Sequence, residues 1–139
     1  MRALNREDKV AEFNTACGQD VDKPMNADRL SFRYGLLYEE FTELKDEIAA
    51  AMTDLQIYGH VSTKTKERML KEMADVQYVL SGMAVTFGLP LQQAFNRVHN
   101  SNLSKFDGEG KPILREDGKV LKGPYYQPPH LEDLVEKLL

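Results

Sequence analysis

Five acidic residues in two groups are the part of this chain best equipped for chemistry: Glu39, Glu40 and Glu43, then Glu72 and Asp75. If Leu30 to Asp54 is one helix, an advance of about 100° per residue fans Glu39, Glu43 and Glu40 across an arc of about 100°. All three then point the same way. The apolar residues of the stretch, Leu30, Tyr34, Leu37, Phe41, Leu44, Ile48, Ala51 and Leu55, form a stripe predicted to lie nearly opposite. Taken alone, this describes an ordinary solvated acidic face. Two features argue for more. Phe32, Leu36 and Ala50 share the glutamate side, where a solvent-facing surface has little use for them. In the next helical stretch, Glu72 projects in line with Met69, Val76, Val79 and Met83, and Asp75 lies at the edge of that stripe. A carboxylate among core positions is costly unless it is paired, protonated or bound to a metal.

The nearby basic residues, Lys66, Arg68 and Lys71, are expected to point mostly elsewhere, so a cation is the simplest partner. Hard oxygen donors without a thiolate suit Mg²⁺, with Mn²⁺ as a substitute. Facing carboxylates would otherwise repel and raise some of their own pKa values. As ligands they can hold an ion that bridges phosphate oxygens and activates water, which is the equipment for hydrolysing a phosphoanhydride. Lys105, with Asn102 one turn earlier, could hold phosphates that an acidic cluster cannot touch.

Other chemistries lack their residues. Cys17 is the only cysteine, which excludes an intrachain disulfide and a thiolate-rich zinc site and fits a reducing compartment. None of His60, His99 and His130 follows a glutamate by three residues, so a ferritin-like di-iron site is disfavoured. There is no Gly-x-Ser-x-Gly elbow and no Walker A loop. A net charge of -4, with the acid clustered rather than the base, argues against general binding to nucleic acid or membranes. No signal-peptide core or transmembrane run is visible, and the expectation is a cytoplasmic protein.

The elements that must position the acids can be read from their ends. Asn5 or Asp8 caps a short helix carrying Val10 and Phe13 and ending at Gly18; Asn14 beside Phe13 is a surface amide or a base-reading one. Asn26 or Asp28 caps a long helix reaching Tyr58 and stopping at Gly59. Ser62 or Thr63 opens the next, which ends at Gly88 before Pro90, and Leu91 to about Asn100 forms a shorter one. Residues 112–122 then predict a small hairpin around Asp117-Gly118, followed by a Pro- and Tyr-rich extended segment and a last short helix from Leu131. The tail is a strap over the bundle or a lid whose lysines and tyrosines approach an anionic ligand. The fold class is all-α: a bundle of four to five helices over about 5–103 and an extended, hairpin-like tail over about 104–139, in a single domain spanning 1–139. The long two-sided helix predicts a dimer.

Glu39-Glu40-x-x-Glu43, a spacer of 28 residues and Glu72-x-x-Asp75 together resemble the signature of the MazG-like all-α nucleoside triphosphate pyrophosphatases, a superfamily that includes dimeric dUTPases and phosphoribosyl-ATP pyrophosphohydrolases. Ser101-Asn102-Leu103-Ser104-Lys105, Asp117-Gly118-Lys119-Val120-Leu121-Lys122 and the Tyr-rich proline segment resemble its dUTPase-like branch. The resemblance covers about residues 10 to 130. It implies a homodimer, or a dimer of such dimers, with Mg²⁺ held by the acids, and hydrolysis of a nucleoside triphosphate, dUTP or another non-standard dNTP, to monophosphate and pyrophosphate in nucleotide-pool housecleaning. Carried over by position, Glu39, Glu40, Glu43, Glu72 and Asp75 would bind metal or activate water. Asn102 and Lys105 would contact sugar or phosphate, with Lys122, Tyr125 and Asn14 as further substrate contacts. One departure is Val79, which stands where some relatives carry a base-stacking aromatic, while Tyr78 points about 100° away. Phosphoribosyl-ATP hydrolysis and a non-catalytic helical dimerisation module are the alternatives.

Overall fold

The computed structural model describes residues 2–138, and all regular structure among them is helical. It divides into two compact units, one ending at Gly88 and the other spanning Leu89–Leu138. The first holds α1 (Arg6–Ala16), α2 (Ala27–Tyr58) and α3 (Thr63–Phe87).

Each helix begins where a short polar side chain can take over an orphan amide. Asn5 accepts from the Asp8 amide at 2.9 Å while Asp8 accepts from the Asn5 amide at 3.0 Å, a complete capping box. Asn26 accepts from the Arg29 amide at 2.8 Å and Ser62 from that of Thr65 at 3.1 Å. Gly59 and Gly88 close α2 and α3 at φ 74° and 66°, a left-handed turn that costs glycine little.

Helix α3 is the centre of this unit, packed by both α1 and α2. Its predicted stripe, Met69, Glu72, Val76, Val79 and Met83, is half-buried throughout. Val10, Ala84, Val85 and Phe87 form the most deeply buried apolar group, near the C-terminal end of α3. The loop after α1 is stitched to that end. The Asp22 amide donates to the Val85 carbonyl at 3.0 Å and the Lys23 amide to that of Thr86 at 2.7 Å, in the last turn where carbonyls lack the usual helical donors.

Helix α2 corrects one expectation. The residues it lays against α3 are those of the glutamate face: Arg33 is buried, and Leu36, Glu40, Glu47, Ala50 and Asp54 are half-buried. Arg68 donates to Glu47 at 3.0 Å and the Ser62 amide to Asp54 at 3.0 Å, tying that face to α3. The apolar stripe is turned away, with Tyr34 63% and Phe41 55% exposed and Ile48 and Leu55 exposed beside them. Leu37, Leu44 and Ala51, at its inner edge, are half-buried.

The second unit holds α4 (Leu91–Leu103) and the single-turn α5 (Glu132–Val135). Helix α4 runs three residues beyond the predicted end, because Ser101 and Ser104 hydroxyls reach the Gln127 carbonyl and hold the last turn in place. The predicted hairpin is reduced to one antiparallel bridge, Leu114 to Val120, and no strand forms among the described residues. With so short a pairing, the turn is held by Asp117 and by backbone bonds from Arg115 to Lys119 and Leu121 to Ile113. Gly123 is required where it stands, since a side chain there would run into the Lys105 carbonyl. Arg97 anchors α5 through the Asp133 carboxylate and the His130 carbonyl at 2.8 Å.

Candidate active site

Glu40 and Glu43 lie one turn apart on α2, and Glu72 and Asp75 one turn apart on α3. Because i and i+3 share a helical face, two packed helices present two pairs to each other. The four side chains each bring one carboxylate oxygen into a set whose members all lie within 4.8 Å of one another. Glu39, exposed on α2, is not in that set.

The electrostatics are those of a site short of positive charge. Glu40 Oε2 and Glu72 Oε2 are buried and have no hydrogen-bond partner. Burial pushes the Glu40 carboxyl up from its ordinary value, and the Glu43, Asp75 and Glu72 charges push it further. Glu72 is raised by burial first and by Glu43 beside it, against a lowering pull from Lys71. Orphaned carboxylate oxygens facing each other across two helices fit a divalent cation, since an oxygen-only donor set that neutralises such repulsion is what a hard metal ion requires.

Lys71 departs from its expected direction. Its Nζ lies 2.6 Å from Asp75 Oδ2 and 3.7 Å from Glu72 Oε1, and these acids raise its own pKa. The spacing to Asp75 is i,i+4, which would have predicted the pair. Lys71 is exposed and meets only the rim of the cluster, leaving the Glu40 and Glu72 inner oxygens without partners.

A sequence profile described as phosphoribosyl-ATP pyrophosphohydrolase matches residues 10–102, about two thirds of the chain and all four converging acids. The chain belongs to the phosphoribosyl-ATP pyrophosphohydrolase family. It is therefore a member of the MazG-like all-α nucleoside triphosphate pyrophosphatase superfamily and a hydrolase of phosphoanhydride bonds. No curated protein matches the chain. Among the described residues no helix is long and apolar enough to cross a membrane.

The pyrophosphohydrolase match takes in Asn14 and Asn102 and ends before Lys105, Lys122 and Tyr125. Asn14 is not a surface amide. It is 2% exposed, and its side chain donates to the Asp20 carbonyl at 3.5 Å, which steadies the loop after α1. Asn102 is exposed on the last turn of α4 and Lys105 half-buried just beyond it. Lys122 Nζ sits 4.9 Å from the centre of the Tyr126 ring, a cation–π contact, and Tyr125 lays its ring beside Gly108. His60 is an exposed residue that bonds the Tyr58 carbonyl at the end of α2, and His99 is exposed on α4. A residue missed in the sequence is Arg33, buried on the glutamate face seven residues before Glu40; that spacing was the available signal.

Proposed function

We propose that the chain hydrolyses a nucleoside triphosphate to its monophosphate and pyrophosphate, with Mg²⁺ held by Glu40, Glu43, Glu72 and Asp75. The observation that carries this reading is the four-carboxylate set with two buried, partnerless oxygens. When bound, the ion supplies charge for the phosphate oxygens and lowers the pKa of a coordinated water. Glu40, Glu43, Glu72 and Asp75 would hold the ion, and one of the glutamates takes the proton of a water whose oxygen bonds to the α-phosphorus as the α–β phosphoanhydride bond breaks and pyrophosphate leaves. Glu39, at the start of the same acidic run, is assigned a supporting role toward metal or water. Asn102 and Lys105 are assigned to sugar or phosphate, with Lys122 and Tyr125 as further substrate contacts; Asn14, buried and bonded to the Asp20 carbonyl, is a structural residue instead.

The substrate class is dUTP or another non-standard dNTP, in cytoplasmic housecleaning of the nucleotide pool. The tail that resembles the dUTPase-like branch lies beyond residue 102, where the family match ends. The matched family's name supports a second reading, phosphoribosyl-ATP. Pyrophosphate release with Mg²⁺ from a panel of dNTPs, ribonucleotides and phosphoribosyl-ATP separates the two, with Asp75→Asn as the control. Release from one substrate, lost in the control, is the expected result; silence across the whole panel overturns the reading.

The chain acts as a homodimer joined through α2. Leu30, Leu37, Leu44 and Ala51 alternate with Tyr34, Phe41, Ile48 and Leu55 as the d and a positions of four heptads, a pattern suited to a helical seam between two copies. The exposure of the second set supports this, since an apolar row of that length is seldom left to water.

A further inference from the structure

Two turns before the acidic set, the same face of α2 carries charge of the opposite sign. Arg33 is only 4% exposed. Its Nη2 donates to the Gln19 side-chain oxygen at 3.0 Å, its guanidinium lies 5.1 Å from the centre of the Phe32 ring, and its buried Nε has no partner. The carboxylate whose charge acts on it does not bond it: Asp20 makes its 2.8 Å contact with Arg29 Nε instead. Burial disfavours the Arg33 charge, and the field of Asp20 offsets this only in part. The backbone leaves room for the group, because a side chain at Gly82 would begin 3.1 Å from Arg33 Nη1.

These residues line a recess of about 160 Å³, bounded also by Gly18 and Thr86. That volume takes several waters or one compact ion. Two guanidiniums against one carboxylate give it a net positive charge, and arginine's forked donors match a tetrahedral oxyanion. Thr86 is not available as a donor, since its hydroxyl is spent on the Gly82 carbonyl at 2.8 Å. We propose that this recess is a phosphate-binding site, with Arg33 as its principal ligand and Arg29 as the second. Seven helical residues place it about 10 Å along α2 from Glu40. It therefore takes a phosphate other than those at the acidic set: a second phosphate group of a bulky substrate, or a free phosphate ion.

The test uses the full chain freed of metal with EDTA, so that phosphate cannot bind through a cation, and does not depend on turnover. Inorganic phosphate is expected to raise the melting temperature by roughly 3 °C or more over sodium chloride at equal ionic strength. By calorimetric titration, Arg33→Gln and Arg29→Gln weaken phosphate binding by about tenfold or more, and Asp20→Asn, which removes the competing carboxylate, tightens it several-fold. If Arg33→Gln fails to fold, Arg29→Gln and Asp20→Asn still decide. Displacement of phosphate by ribose 5-phosphate assigns the site to the phosphoribosyl end of a substrate, whereas failure of displacement assigns it to the free ion; both keep the phosphate site. No stabilisation beyond chloride, or equal binding by wild type, Arg29→Gln and Asp20→Asn, overturns it and leaves Arg33 as a staple for the loop after α1. A chain inactive on every nucleotide can still pass this test, and an active one can still fail it.

Discussion

Helix α2 has two long faces, and it is the charged one that this chain buries. Arg33, Glu40, Glu47 and Asp54 lie toward α3, while Tyr34, Phe41, Ile48 and Leu55, about 100° around the helix, remain exposed. Burial of ionisable groups is tolerated where each finds a counter-charge or a donor, as Glu47 does in Arg68 and Asp54 in the Ser62 amide. Glu40 and Glu72 lack that satisfaction, and this sets them apart from Glu47 and Asp54 farther along α2. The exposed apolar row has the opposite property: it has nothing to satisfy and gains only by being covered.

The largest expected effect breaks the charged face. Glu43→Gln should lower turnover by at least about 100-fold, as loss of groups around a metal commonly does, while the metal-free variant folds and melts no lower than wild type because repulsion at Glu40 and Glu72 is relieved. Steady-state rates and metal-free melting curves check both halves. A clear loss of metal-free stability would mean that Glu43 is a structural partner rather than a ligand. Asp75→Asn should cost activity similarly, but it also releases Lys71, so its stability is the less clean readout.

The next effect breaks the seam. Ile48→Asp places a charge in the middle of the exposed heptad row and should convert a dimer to a monomer, read by light scattering, with the melting temperature losing its dependence on protein concentration. If the wild-type chain is already monomeric at tens of micromolar, the seam serves some other purpose and the two faces are not an inside and an outside of one assembly.

A smaller effect sharpens the account of the acids. The Glu40 and Glu72 carboxyls are raised above their ordinary 4.5 in the folded chain, so protonation favours folding. Their stabilising contribution is complete below about pH 4.5 and is lost as pH rises through the raised values. The metal-free protein should therefore melt higher near pH 5 than at pH 7. The trend reverses only on further acidification below about pH 3.8, where Asp8 and Asp54, held below that ordinary value by backbone donors, begin to lose theirs. Saturating Mg²⁺ at pH 7 should raise the melting temperature and flatten this slope, since ions and protons compete for the same oxygens. Differential scanning calorimetry across the pH series reads both.

The smallest effect lies on neither face. Asn26→Ala removes the cap of α2 and should cost about 1 kcal/mol in chemical denaturation, with turnover per folded molecule unchanged.

Helix ends were legible in the sequence because they are local. A capping side chain bonds to amides within three residues, and a C-terminal glycine takes a left-handed turn wherever it stands, so Asn5, Asn26, Ser62, Gly59 and Gly88 mark their boundaries without the fold. The α3 stripe with Glu72 in it was legible for a similar reason: helical period fixes which residues share a face. The turn signal at Asp117-Gly118 predicts a hairpin that is marginal without packing, and the structure keeps one bridge of it, Leu114 to Val120, because turn chemistry does not supply the packing that strands need.

What the sequence by itself determined is the inventory: three helices bounded to within a few residues, an acidic triple on one helix and an acidic pair on the next, and an apolar stripe on α2. Only the tertiary structure decided which faces meet. It set Glu40 and Glu43 against Glu72 and Asp75, left Glu39 outside the set, and buried Asn14 and Arg33. Periodicity gives directions about one axis, but whether two directions converge depends on how one helix is rotated against the next, and that is fixed by packing over the whole length of both.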